Sequence, residues 1–173
     1  WIGDSLIAFA STQGGWRSQY ADVPATNLWL ARLGPGTPTW RITSERNGAE
    51  EPAWDARRGR LLYSGWWYNR WRPTDRAPGV IAAHDAADTV AVANLWQIVS
   101  VRPDGRDLRI EASGLVDRVS SAGYQPAVLR DGSVVAVSAS TPSLSPAPGT
   151  LTLHRFAPRI GRVRRVAGAA LDE

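Results

Sequence analysis

The chain has no cysteine, no methionine and no lysine. Without cysteine it can form neither a disulfide framework nor a thiolate metal site or nucleophile. The absence is compatible with an oxidising compartment. With no methionine and no signal-peptide pattern at its start, residue 1 is not expected to be the beginning of the gene product. All 20 basic residues are arginine, against 16 acids. The missing lysine, beside abundant Ala, Gly and Arg, is explained more simply by codon composition than by function. No apolar run reaches the roughly 18 residues of a membrane span.

Reactive groups are equally scarce. A nucleophilic Ser or Thr needs a His and an orienting acid within reach, and only His84 and His154 are present. His154 alternates with Leu153 and Arg155 on an expected strand, which gives it a solvent-facing or structural role. His84 with Asp85 and Asp88 offers mixed nitrogen and oxygen ligands. Two acids near one His are common by chance, however, and no metal or cofactor is expected. Gly34-Pro35-Gly36 is a turn outside the strand–loop–helix context of a phosphate cradle, and no Gly-x-Ser-x-Gly occurs. The sequence predicts a protein without its own catalytic set.

What is present suits one folded domain. A chain of 173 residues, 43% apolar and 21% charged, can bury about 70% of its unfolded surface. Its one dense basic cluster is Arg155, Arg159, Arg162, Arg164 and Arg165. A nucleic-acid surface would use such a patch, but Arg162 to Val166 reads as a strand with one wet face. No nucleic-acid partner is expected.

The organising stretch is Trp54-Asp55-Ala56-Arg57-Arg58-Gly59-Arg60-Leu61-Leu62-Tyr63-Ser64, a strand end, a polar turn and a second strand. The same layout recurs from Val128 to Ser138 and from Trp1 to Ser11. Two copies follow the same dipeptide, Pro52-Ala53 and Pro126-Ala127. Fixed self-similarity of this kind marks an array of like units. Strands are expected at 6–11, 27–33 and 39–43 in the first unit. The second has its hairpin at 51–64, then Asn94 to Val101, the turn Arg102-Pro103-Asp104-Gly105-Arg106, and 108–112. The third has 124–138, 150–156 and 162–166. No helical periodicity intervenes. The domain is one all-β segment with units at about 1–43, 50–112 and 123–166, the second interrupted by an insertion, 66–93. With that insertion removed, the spacing from Pro52 to Pro126 approaches the ~40–45 residues of a four-stranded propeller blade.

Pro-Ala-Trp, a polar turn, Leu-Leu-Tyr-Ser, Asn-Leu-Trp and Pro-Asp-Gly together resemble the blades of TolB-like (WD40-like, PD40) bacterial β-propellers. The usual Ser-Pro-Asp-Gly turn of that family is degenerate here, at 55–59, 129–132 and 2–5. The resemblance implies about three four-stranded antiparallel blades, a scaffold or recognition role, and a periplasmic or extracellular setting. Three blades cannot close a ring that needs at least about four, and Trp1 aligns inside a strand, so either further blades lie upstream or several copies assemble; the leading expectation is further blades upstream.

The insertion opens on Trp66-Trp67-Tyr68-Asn69-Arg70-Trp71-Arg72-Pro73. Large rings and Arg provide most of the binding energy at protein interfaces, which makes Trp66, Trp67, Tyr68, Arg70, Trp71 and Arg72 the candidate partner-binding residues. Internal packing of these rings is the competing reading, because Trp is costly to leave in water. The leading expectation is a non-catalytic interaction scaffold that binds a protein through this loop, possibly within a peripheral membrane complex. The alternatives are a substrate-recognition or gating propeller of a larger hydrolase, and a carbohydrate-binding module that stacks these rings on sugars.

Overall fold

The computed structural model describes residues 1–18, 23–71, 81–82, 91–112, 122–139, 151–158 and 163–167. Every regular element among them is a β-strand: β1 (Leu6–Ser11), β2 (Asn27–Arg32), β3 (Thr39–Arg41), β4 (Ala49–Asp55), β5 (Arg60–Trp71), β6 (Ile81–Ala82), β7 (Ala91–Val101), β8 (Arg109–Ala112), β9 (Ala122–Val128), β10 (Val134–Ala139), β11 (Leu151–Phe156) and β12 (Val163–Ala167). They form three open antiparallel sheets: β1-β2-β3, then β4-β5-β7 with β6 and β8 both on β7, then β9-β10-β11-β12. Within each sheet most strands pair with the next in sequence; β5 instead pairs with β7, and β6 adds to β7.

The three hairpins are equivalent, but not in the register that the sequence suggests. In the third unit the Leu129 N–H donates to the Ser133 carbonyl at 2.8 Å, and in the first Ile2 donates to Leu6 at 2.8 Å. Each closes a three-residue turn. In the second unit Asp55 pairs with Arg60, which leaves four residues between them. Leu61 therefore corresponds to Val134 and Ile7, one position away from the alignment on the closing serines. The Asn-Leu-Trp match slips further. Asn27 and Gln97 are equivalent by pairing (Ser11↔Asn27, Gly65↔Gln97), so Asn94-Leu95-Trp96 lies three residues before the structural counterpart. The cause is a second-unit hairpin that is longer than expected.

Sheet 2 lies between the other two. Leu61, Tyr63, Val99 and Val101 meet Leu28, Leu30, Ile42 and Ala49, with Leu6, Ala8 and Ala10 packed alongside. The opposite face of the same strands presents Leu62 and Ile98 to Val134, Ala136 and Phe156. Residues 60–66 of β5 are all buried, because alternation disappears when both faces of a strand are covered. Each fully buried Leu or Val contributes about 1.5–3 kcal/mol.

Two matched irregularities tie sheets 2 and 3. Glu51 and Gln125 each precede a proline, sit at a break in strand register, and have φ of 55°. Left-handed backbone at a side-chain-bearing residue is uncommon and belongs here to a β-bulge. The Glu51 carboxylate accepts the Ser64 hydroxyl at 2.6 Å and the Gln125 N–H at 2.8 Å, and the Gln125 N–H also reaches Ser64 Oγ at 2.9 Å. The repeated Pro-Ala dipeptide thus marks a repeated bend. Its two copies hold each other.

Candidate functional site

The strand connections at one end of the stack gather the candidate residues. The hairpin of β5 and β7 pairs without a break from Leu61↔Val101 to Trp71↔Ala91, whereas β4 pairs only as far as Gly65. The expected insertion loop is therefore, at its root, a projecting two-stranded arm, with β6 added to β7 at Ile81↔Val92. Aromatic and β-branched residues favour this extended pairing. Trp66, at the base, is buried at 4% exposure and its N–H donates to the Gly48 carbonyl at 3.0 Å. It anchors the arm to the body, the packing role that competes with partner binding for these rings. Trp67, Tyr68, Arg70 and Trp71 occupy successive ladder positions of β5. Arg72 and the His84, Asp85, Asp88 group lie outside the described residues.

At the same end lies an open cleft of about 430 Å³ lined by Trp16, Arg17, Asn27, Arg41, Ser44, Glu45 and Arg46. The segment before β2 folds into a small hairpin, with Ser18 N–H to the Val23 carbonyl at 2.8 Å and Ala25 N–H to the Trp16 carbonyl at 2.9 Å. That places Trp16, 39% exposed, against β3, where the Arg41 guanidinium lies 4.0 Å over its ring. Such a cation–π pair contributes about 0.5–1 kcal/mol at an exposed site. The cleft floor is held by Asn27, whose Oδ1 accepts from Thr43 Oγ1 at 2.9 Å and from the Glu45 N–H at 2.7 Å. Thr43 Oγ1 in turn accepts the Leu28 N–H at 2.8 Å. A side-chain oxygen thus takes the place of a ladder carbonyl, which is why β3 ends before the expected Thr43. A large ring within a polar loop, Gly14-Gly15-Trp16-Arg17, is the signal in the sequence that points to this cleft; its other arginines carry none.

The cleft combines three guanidiniums with one carboxylate. Glu45 Oε1 accepts the Tyr63 hydroxyl at 2.7 Å. Burial, and then the neighbouring Glu45 charge, push the Tyr63 phenol above its ordinary value near 10. A neutral phenol in the folded state adds stability that is complete below about pH 10 and lost as pH rises beyond it. Alkaline titration followed by phenolate absorbance should show Tyr63 ionising only together with unfolding. Ionisation within a still-folded chain would contradict its burial.

The opposite end is built from ion pairs. Asp55, buried in the first turn of the second unit, accepts the N–H groups of Arg57 at 3.0 Å and Arg58 at 3.2 Å. Its carboxylate also pairs with the Arg58 guanidinium, which lies 3.3 Å from Glu111. The Arg109 and Arg60 guanidiniums hold Asp107 below the usual carboxylate range, and hydrogen bonds from Ser133 do the same for Asp131, beside Arg155. His154 is buried, 3% exposed, which excludes the solvent-facing alternative. Arg155 pairs with Asp131, and Arg159 and Arg162 of the expected basic cluster lie outside the described residues. Among the described residues no group of three or more His, Asp or Glu side chains could hold a metal ion. No helix among them is long and apolar enough to cross a membrane.

These features define the class: an all-β protein of three repeated antiparallel sheets, with an arm and an arginine-rich cleft at one end. No protein-family model matches the chain, and a search of curated proteins finds no match either.

Proposed function

We propose that the chain is a non-catalytic interaction scaffold built from propeller-type blades, acting outside the cytoplasm, and that it binds a protein partner through the β5–β7 arm. One observation carries the reading. The arm continues past the last residue of β5 that β4 pairs, Gly65, and bears Trp67, Tyr68, Arg70 and Trp71 on paired strands instead of a slack loop. Rigid backbone beneath aromatic and Arg side chains lowers the ordering cost of binding. The cleft at Trp16 and Arg41 lies at the same end and extends the basic, aromatic character of that surface.

The test is affinity purification with wild-type chain and Trp67→Ala, each checked for its β-sheet circular dichroism. A specific protein partner should lose at least about 2 kcal/mol of affinity, the scale of an interface hot spot. Equal recovery by both chains would remove the arm from the interface. Glycan binding abolished by the same change would favour the carbohydrate alternative.

A further inference from the structure

We propose that the cleft at Trp16 and Arg41 is a binding site for a phosphate-class dianion, either free or as the monoester of a small organic molecule. The site goes beyond the protein-binding reading and rests on none of the arm's residues. Its walls are connections, not the face of a sheet. One is the β1–β2 connection, with Trp16 and Arg17. The other is the β3–β4 connection, with Ser44, Glu45 and Arg46, which runs from sheet 1 to sheet 2. The Ser18 hydroxyl donates to Asn47 Oδ1 at 3.0 Å, both residues buried, and Asn27 Nδ2 donates to the Glu45 carbonyl at 3.3 Å. These bonds pin the two walls together, and Glu45 ties the second to Tyr63 of sheet 2. Contacts within the stack therefore shape the cleft.

Charge selects the ligand. Among the lining residues Arg17, Arg41 and Arg46 are opposed by Glu45 alone, a formal excess of two positive charges. Neither Arg41 nor Arg46 has a hydrogen bond or ion pair with any described residue, and both are exposed, as is Ser44. At the opposite end, by contrast, Arg58, Arg60, Arg109 and Arg155 each pair with an acid of the chain. A phosphate monoester carries about −1.5 to −2 at neutral pH, which matches the excess; a single carboxylate leaves half of it unmatched. The volume of about 430 Å³ falls within the range of small-molecule sites, so it has room for an organic body beside the anion.

The Trp16 ring serves as a platform in this site. Arg41 lies 4.0 Å over it. Such stacking engages the flat face of a guanidinium and leaves its N–H edge for two oxygens of one anion. Gly14 is what lets the ring take that place. A Cβ at residue 14 would overlap the six-membered ring of Trp16, and the φ of 111° disfavours any side chain there. The run Gly14-Gly15-Trp16 thus orients a guanidinium that comes from a different connection.

Calorimetric titration with inorganic phosphate and with phenyl phosphate tests the site, at constant ionic strength and about pH 8, above the second phosphate pKa near 6. One-to-one saturable binding is expected. Tighter binding of phenyl phosphate points to an organic monoester, and tighter binding of inorganic phosphate to the free anion. Acetate should bind at least about tenfold more weakly than either. Arg41→Gln and Arg46→Gln change exposed side chains and should keep the β-sheet circular dichroism. Each should weaken phosphate binding by at least about tenfold, the scale of a lost charge-assisted hydrogen bond. Gly14→Ala removes no charge but displaces the platform. Its affinity should fall while the dependence on salt stays that of wild type, whereas Arg41→Gln should flatten that dependence. Absence of saturable binding by the wild-type chain would overturn the proposal. So would acetate bound as tightly as phosphate, or unchanged binding in both folded arginine variants, which would mark adsorption to basic surface in general.

Discussion

Replacing Arg60 with alanine should lower the stability of the chain by about 3–5 kcal/mol, the range for removing one partner of a buried charge network. The Arg60 and Glu111 side chains are each only 3% exposed. Arg60 Nε donates to Ser100 Oγ at 2.9 Å, Nη1 to Asp107 Oδ2 at 2.8 Å and Nη2 to the Ser100 carbonyl at 3.2 Å. Nη2 also donates to the Asp107 carbonyl. Truncation strands these acceptors together. It leaves the Glu111 carboxylate with Ser100 Oγ at 2.6 Å and Arg58 at 3.3 Å. The double change Arg60→Met, Glu111→Leu should recover much of the loss, because an apolar pair of similar volume often replaces a buried ion pair at little cost. Urea unfolding of the three chains decides it. A loss below about 1 kcal/mol for Arg60→Ala would mean that water already supplies these partners.

Leu62→Ala should cost about 2–5 kcal/mol, as for other truncated core leucines, and its effect should be directional. Leu62 is fully buried and packs with Ile98, Val134, Ala136 and Phe156, the cluster between sheets 2 and 3. Leu61, its neighbour in sequence, belongs to the other cluster, with Leu28, Leu30 and Ile42. Hydrogen exchange should therefore quicken first in β9 to β11 for Leu62→Ala, and in β1 to β3 for Leu61→Ala. Identical exchange patterns in the two variants would show that the sheets open as one unit and that the two clusters are not separate supports.

The contrast between these adjacent leucines shows how much was legible in advance. The alternation of apolar residues from Leu6 to Ser11 and from Val134 onward, and the turn residues between them, determine antiparallel hairpins, since a period of two admits one buried face per strand. The all-β class, the three units and most strand positions follow from that local chemistry. The repeated Pro-Ala dipeptide marks the repeat, whereas the bend and the left-handed backbone at Glu51 and Gln125 appear only in the structure.

Register and partnership are another matter. One extra residue in the turn from Asp55 to Arg60 shifts every later side chain to the opposite face relative to the serine alignment, and sequence similarity does not register so small a change. The stretch from Trp66 to Trp71 interrupts the repeat and so reads as an insertion loop; pairing with residues 91–96 across a long gap supplies its order. The cleft joins Trp16 to Arg41 and Arg46 from separate connections, a meeting that no local pattern encodes. By itself the sequence determined the strands, the turns and the repeat, which depend on contacts between near neighbours along the chain. Only the tertiary structure decided which face meets which sheet, which tryptophan is buried and which surfaces remain open, because those outcomes depend on packing between residues far apart in sequence.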